Sequence, residues 1–490
     1  VALGLVLVVP SLWVGPVLDD WLFVQAIESG RWWDLYDFVG PGEIEGLRAS
    51  GWVPWWVAED FEQRFFRPFS SVLFWLDHRM GPVFTGLSLM GWRALALWGG
   101  WAVLSQELPR RVALWALFLL VTDNALVAAG AWHANRHALI SAALGLWSVA
   151  LLQRGRRGMS ALLFGLALCA GELGLGTLGF VLAWAVHRRS VRESLPHLSV
   201  FALWLALYRS LGMGARGGDF YLDPISDPAG WIRAAPLRWL ALVGDGVTQL
   251  PAMLGFLEGW APIGLALVGI FALWVFRGAG WLGWGALLAL VPALSAPPSS
   301  RQLAVASVGF AAVLARRLPA PALGLLGMVG MALSLGSQVG LRRVGEDSLE
   351  IAARIDAICP GMGPVAVVNP PDHVVGFYLP VLRQVGLGLP PRVVLGLSIH
   401  LPELRVRGGA TVELEGRFGA GQIERFWAKR MPTKPVETGG MQVQLVGEVL
   451  SVQAPEDTCW VAWDEGVLVR FEPGPVEVRL ERTPGPSGLP

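Results

Sequence analysis

Lysine is nearly missing from this 490-residue chain, which carries it only at Lys429 and Lys434. Charge of any kind is scarce: 16% of residues are charged, against roughly 25% in soluble domains. Acidic and basic residues number 38 each and cancel, so no polyanion is implied as a partner and a nucleic-acid role is excluded. Three cysteines are too few for a disulfide-built secreted scaffold. The chain has no Cys-x-x-Cys, no His-Glu-x-x-His, no phosphate-cradling P-loop and no repeat of tetratricopeptide length. His133 and His137 are the only histidines one helical turn apart, and no metal site is read from them.

What is present is apolar: 54% hydrophobic residues with 61 Gly and 25 Trp, and a mean hydropathy of +0.52. One or two water-soluble cores could not hide that much nonpolar surface, so a membrane protein is expected and a disordered chain is excluded. Apolar runs with at most one charge that approach the bilayer thickness number about eleven. They begin at Leu3, Phe84, Val112, Ala138, Ser160, Leu173, Leu198, Ala261, Trp281, Leu303 and Ala322. The stretch 231–259, interrupted by Arg233, Arg238, Asp245 and Glu258, reads as an interfacial or re-entrant helix or as a twelfth span. The first run has no basic n-region and no small-residue cleavage site before Asp19, so it is expected to be a retained helix.

Arginine placement orients the chain. Arg110 and Arg111, then Arg154, Arg156 and Arg157, then Arg188, Arg189 and Arg192, then Arg277, then Arg316 and Arg317 fall in alternate connections, which are therefore cytoplasmic. The other connections hold the carboxylates, including Asp19, Asp20, Glu62, Asp123, Glu172, Asp219 and Asp223. The expected fold is mainly α, with residues 1–340 forming a polytopic membrane domain of a bacterial inner membrane, its N-terminus cytoplasmic. Residues 341–490, with strand-like VAVVN, TVELEGR, MQVQLVGEVLSVQ, CWVAW and VLVRFE, are expected to form a soluble periplasmic α/β or β-rich domain. Cys359 and Cys459 would then share an oxidising compartment, either paired or as two buried thiols.

The first outside connection, 19–82, is too long to be a simple link. It opens with Asp19 and Asp20 at the membrane boundary, where one carboxylate is a candidate general base. It closes with Arg67-Pro68 before an aromatic-rich run. Pro68 suits the first position of a helix, and Arg67 at that helix's N-terminal end suits an anion such as a phosphate. Arg136 and Glu172 sit at span ends, where ionisable groups are paired or face a polar cavity; they either pair with each other as a staple or serve a site. Tyr221 and Asp223, in a Gly-rich loop, and His133 are further cavity or acceptor candidates. Arg301, beside Pro297-Pro298, is a second candidate anion partner.

These residues resemble a known family. The acidic pair after the first span, the long loop with amphipathic helices and the Arg-Pro turn into an aromatic helix are similar to GT-C membrane glycosyltransferases, in the protein O-mannosyltransferase and lipid A aminoarabinose transferase branch. AWHANRHALISAALGLWSVALL, residues 131–152, looks like that branch's Trp-x-x-x-Arg-x-Asp segment, and AGELGLGTLGFVLAW, residues 170–184, looks like its Lys-Glu-x-Gly segment. His137 and Ala138 stand where relatives carry a small residue and Asp, and Gly171 stands where they carry Lys. The likeness covers roughly the first 190 residues and implies Asp19 or Asp20 as catalytic, Arg67 and Arg136 as phosphate partners, and Glu172 in the same cavity. It implies a polyprenyl-phosphate sugar as donor and a glycan, lipid or protein hydroxyl as acceptor, with no resident cofactor required and a divalent metal left open. A lipid or sugar transporter, or a catalytically silent scaffold of this fold, is the alternative.

Overall fold

The computed structural model describes residues 2–481 apart from 219, 253–260, 362, 369–377, 391, 398–402, 408–410, 416–433, 447–448, 465–466 and 473–477. Asp219, Glu258 and Lys429 therefore lie outside the described residues. The chain is mostly helical, with a separate strand-rich region at its C-terminal end.

Residues 82–317 form a bundle whose helices follow the apolar runs and stop where Pro, Gly or Arg interrupts them. The longer members are Pro82–Glu107, Arg136–Gln153, Leu195–Ser210 and Pro228–Thr248. Asp123 splits one run by accepting a hydrogen bond from the Ala125 amide, which caps Asn124–Ala131 behind Arg110–Thr122. Close helix approach depends on small residues: a Cβ at Gly179 would stand 2.5 Å from the Ala289 nitrogen, so Gly176–His187 and Gly280–Ala289 meet backbone to backbone. Among the described residues, two stretches are by length and composition long and apolar enough to cross a membrane, Arg110–Ala131 and Ala320–Ile358.

One expectation is corrected and two are redrawn in their bounds. The run beginning at Leu3 is not one helix: Ala2–Val6 is followed by a 3₁₀ turn, Val9–Trp13, and an irregular stretch to Leu18. Pro10 and Pro16 withhold amide donors, and Gly15 is left-handed at φ 72°. The stretch starting at Trp231 belongs to a 21-residue helix, Pro228–Thr248, that absorbs Pro236, while the end of that stretch, 253–260, lies outside the described residues. The change of character near Leu341 is not a domain boundary. The helix Ala320–Ile358 runs through it, because Ile351, Ala352 and Ile355 keep an apolar face while Arg342–Glu346 and Glu350–Arg354 pair on the exposed face at 2.7 and 2.5 Å.

Beyond that helix lie two sheets. One is antiparallel, in the order Val478–Glu481, Glu403–Arg407, Val412–Glu415, Val449–Gln453, Met441–Val446, Val436–Thr438. The other is mixed, in the order Val467–Phe471, Cys459–Asp464, Val365–Val368, Val394–Gly396, its last three strands parallel. Alternation decides which face of the mixed sheet meets what. Val365, Val367 and Val461 pack on Ile351 and Ile355 of the long helix. Ala366, Val368 and Ala462 face a core shared with the antiparallel sheet. Cys359, just past the helix, and Cys459 form a disulfide with Cα atoms 5.8 Å apart.

That shared core contains a piece of the first long connection. Val53, Trp55, Trp56, Val57 and Phe61 are buried among the sheet residues, and the Trp55 indole donates to the Leu397 carbonyl at 3.0 Å. Connection and C-terminal region are thus one structural unit. A short sheet of Asp37–Val39, Glu62–Arg64 and Gly214–Arg216 joins this unit to a later loop.

Candidate functional site

The helix Asp19–Glu28 starts directly after Leu18, a non-glycine residue at φ 49°. That turn sends the two adjacent carboxylates to different places. Asp20 is 1% exposed and points inward, accepting hydrogen bonds from the Val17 amide at 2.8 Å and the Ala134 amide at 2.6 Å. Burial pushes its carboxyl up to about 8, and the two amides only partly oppose this. Asp19 is partly exposed and lines two cavities, of about 500 and 1090 Å³.

The smaller cavity gathers chemistry from distant parts of the chain: Asp19, Arg67, His137, Glu172, Tyr221 and Arg301 all line it. Arg67 is the N-cap residue of the helix Pro68–Met80, with Pro68 at its first position. Its guanidinium stacks on Phe65 and Tyr36, 4.4 and 4.8 Å from the ring centres, while Nε donates to Glu172 at 2.6 Å. Burial alone would make this cation easier to discharge, but the charge and hydrogen bond of Glu172, together with Tyr36 and Tyr221, outweigh it and the pKa is raised. Arg301 lies in the turn Ser300–Leu303, fixed by a Ser299–Gln302 capping box, with its guanidinium 5.4 Å from the Trp132 ring centre. Leu173, Leu175, Leu178, Phe201 and Leu205 supply an apolar wall.

Other candidates fall elsewhere. Arg136 is 4% exposed, lines neither cavity and is ion-paired with Asp77, itself 4% exposed. It is therefore not placed as a phosphate partner, and the Arg136–Glu172 staple does not form, since Glu172 is held by Arg67. His133 packs near Phe74 and lines neither cavity. Burial, then the Arg136 charge, pushes its imidazole down to about 3. Asp223 does line the smaller cavity but is bound by Arg209 through two hydrogen bonds of 2.7 and 2.8 Å. Burial would raise this carboxyl; the Arg209 contacts prevail and hold it below the usual range.

Asp20 and Arg136 belong to a buried knot behind the cavity. The Tyr36 hydroxyl donates to the Ala134 carbonyl at 2.8 Å, and the Trp132 indole donates to the Val17 carbonyl at 3.1 Å. Together with Asp20 these bonds pin residues 132–136 against the start of the first connection, which places Trp132 under Arg301.

Sequence reasoning missed Tyr36, Phe65, Tyr208 and His137 as cavity residues. One signal was available: tyrosine occurs four times in the chain, and Tyr36, Tyr208 and Tyr221 all line this cavity. Among the described residues, no group of three or more His, Cys, Asp or Glu is placed to hold a metal ion. Comparison of the chain with known protein families, curated proteins and solved structures finds no match.

Proposed function

We propose that the chain is a polytopic membrane glycosyltransferase that moves a sugar from a polyprenyl-phosphate donor to a hydroxyl acceptor, with Asp19 as general base. The observation that carries this is the smaller cavity, where the Asp19 carboxylate and the ring-stacked guanidinium groups of Arg67 and Arg301 meet beside an apolar wall, while Glu172 and Asp223 are held by Arg67 and Arg209. Those surfaces match the three parts of such a donor: sugar, phosphate and isoprenoid chain. Membrane residence is supported by the outer surface of the bundle, where Val186, Leu203, Leu267, Leu273, Trp284 and Met328 are all exposed. The arginine distribution supports a periplasmic cavity and a cytoplasmic N-terminus.

In this mechanism Asp19 takes the proton of the acceptor hydroxyl as its oxygen attacks the anomeric carbon. The bond from that carbon to the phosphate oxygen breaks, and the lipid phosphate leaves with the electron pair. Arg67, whose Nε is committed to Glu172, meets the phosphate through its Nη nitrogens, and Arg301 meets it from the Trp132 side. Stacking keeps both cations in place before the charge develops. Attack opposite the leaving phosphate inverts the anomeric centre. The test is product analysis by NMR after incubating purified protein with a defined, labelled polyprenyl-phosphate sugar. An inverted linkage is expected; a retained one rules out this mechanism.

A further inference from the structure

The larger cavity, about 1090 Å³, shares Asp19, Phe38, Gln63, Tyr221 and Arg301 with the smaller one; the first long connection supplies most of its lining and the C-terminal region contributes Gln384. Resting on the transferase reading, we infer that this chamber holds the acceptor, and that the acceptor is a neutral oligosaccharide chain.

The charges lining the chamber are Asp19, Glu28, Asp37 and Glu43 against Arg31 and Arg301. Asp37 is bound by Arg64 at 2.8 Å, Glu43 accepts from the Gly40 amide at 2.7 Å, and Arg31 is bound to Asp34 at 3.3 Å. Carboxylates outnumber arginines at this lining, which disfavours an anionic peptide or lipid headgroup. The remaining surface suits hydroxyls and sugar rings. Gln25 and Gln384 offer amides that both donate and accept, and they approach each other at 3.4 Å. Trp52 offers a flat face that packs against the C–H face of a sugar while excluding water. The volume exceeds the donor cavity about twofold, more room than a single hydroxyl-bearing residue fills.

The chamber wall is rigid where it reads the ligand. Gln384 lies in the π-helical turn Leu382–Gly386, and its neighbour Arg383 is bound to Asp356 at 2.7 Å and to the Pro390 carbonyl. Trp52 packs with Trp21 and Leu382. The C-terminal region is thus a selectivity element of the site, acting through Gln384.

The experiment is calorimetric titration of the full chain in detergent with neutral tetrasaccharides of mannan, arabinan and glucan type, and with a Ser/Thr-containing dodecapeptide. At least one tetrasaccharide is expected to bind and the peptide not to. Trp52→Ala is expected to weaken binding about tenfold and Gln384→Ala about threefold, with Trp52→Phe keeping most of the affinity if the flat face is what matters. Binding of the peptide alone, binding of neither, or a tetrasaccharide affinity unmoved in a folded Trp52→Ala would overturn the inference. The titration contains no donor, so tetrasaccharide binding by a protein that turns over no lipid-phosphate sugar counts against the transferase reading only.

Discussion

The cavity wall and the knot behind it are made of the same side chains. Asp19, Arg67 and Glu172 stand at the wall; Asp20, Arg136 and Asp77 stand in the knot. Charge type does not separate the two sets; the space beside them does. At the wall, Arg67 is held by one nitrogen and by aromatic faces, which leaves directions open to a ligand. In the knot, two backbone amides take the Asp20 oxygens, Asp77 takes one Arg136 nitrogen, and neither Asp20 nor Arg136 lines either cavity. Candidate residues chosen for their chemistry therefore divide into those that act and those that position, and only packing divides them.

The sharpest test of this division is Asp19→Asn, for which turnover should fall by about 10²- to 10⁴-fold with no change in the melting transition. Asp20→Asn should instead leave measurable turnover. If the larger loss of rate in a folded protein followed the Asp20 substitution, the assignment of base and positioner would be reversed. In the knot, Arg136→Ala strands the Asp77 carboxylate and should cost about 3–5 kcal/mol in denaturant unfolding, with the Arg136→Ala/Asp77→Ala double variant regaining part of it. Stability equal to wild type would erase the distinction between knot and wall. Arg67→Lys keeps the charge but loses the planar stack on Tyr36 and Phe65, so donor turnover should drop about tenfold, with less destabilisation than Arg136→Ala.

The last test concerns pH. The Asp20 carboxyl is raised by burial to about 8 from an ordinary value near 3.8, so between these values the folded chain holds a proton that the unfolded chain releases. Its contribution to stability is largest near the lower value, falls as pH rises toward the upper one, and is flat above it. The melting temperature of wild type should therefore decline from pH 5 to pH 8.5 more than that of Asp20→Asn. Parallel pH profiles for the two proteins would show that Asp20 does not hold that proton.

Local rules read the Arg67-Pro68 helix start, the Arg301 turn and the strands of the C-terminal region correctly from neighbouring residues. They could not choose between Asp19 and Asp20, because the deciding partner, the Ala134 amide, lies 114 positions away. They could not pair Arg67 rather than Arg136 with Glu172, since that contact spans 105 positions. The charged stretch after Leu341 misled because solvent-facing ion pairs on a continuing helix look like the start of a soluble domain. The rise of Ile351 and Ile355 at helical spacing was the contrary signal. Likewise Val53–Phe61 sits in a connection, yet its pair of tryptophans with few charges marks a core segment whose core is supplied elsewhere.

That last segment sets an order on biosynthesis. Trp55 closes on Leu397, 342 positions later, and at about 5–20 residues per second the ribosome needs roughly 20–70 s to deliver the partner strand. Through that interval the nascent chain carries an apolar hook without its eye, after the bundle helices have already been made. The core that holds residues 53–61 therefore closes late in synthesis rather than early, whereas the residues lining the smaller cavity are all made by Gln302. A chain arrested before the sheets emerge has the donor-side residues in hand but leaves Trp55 without its partner.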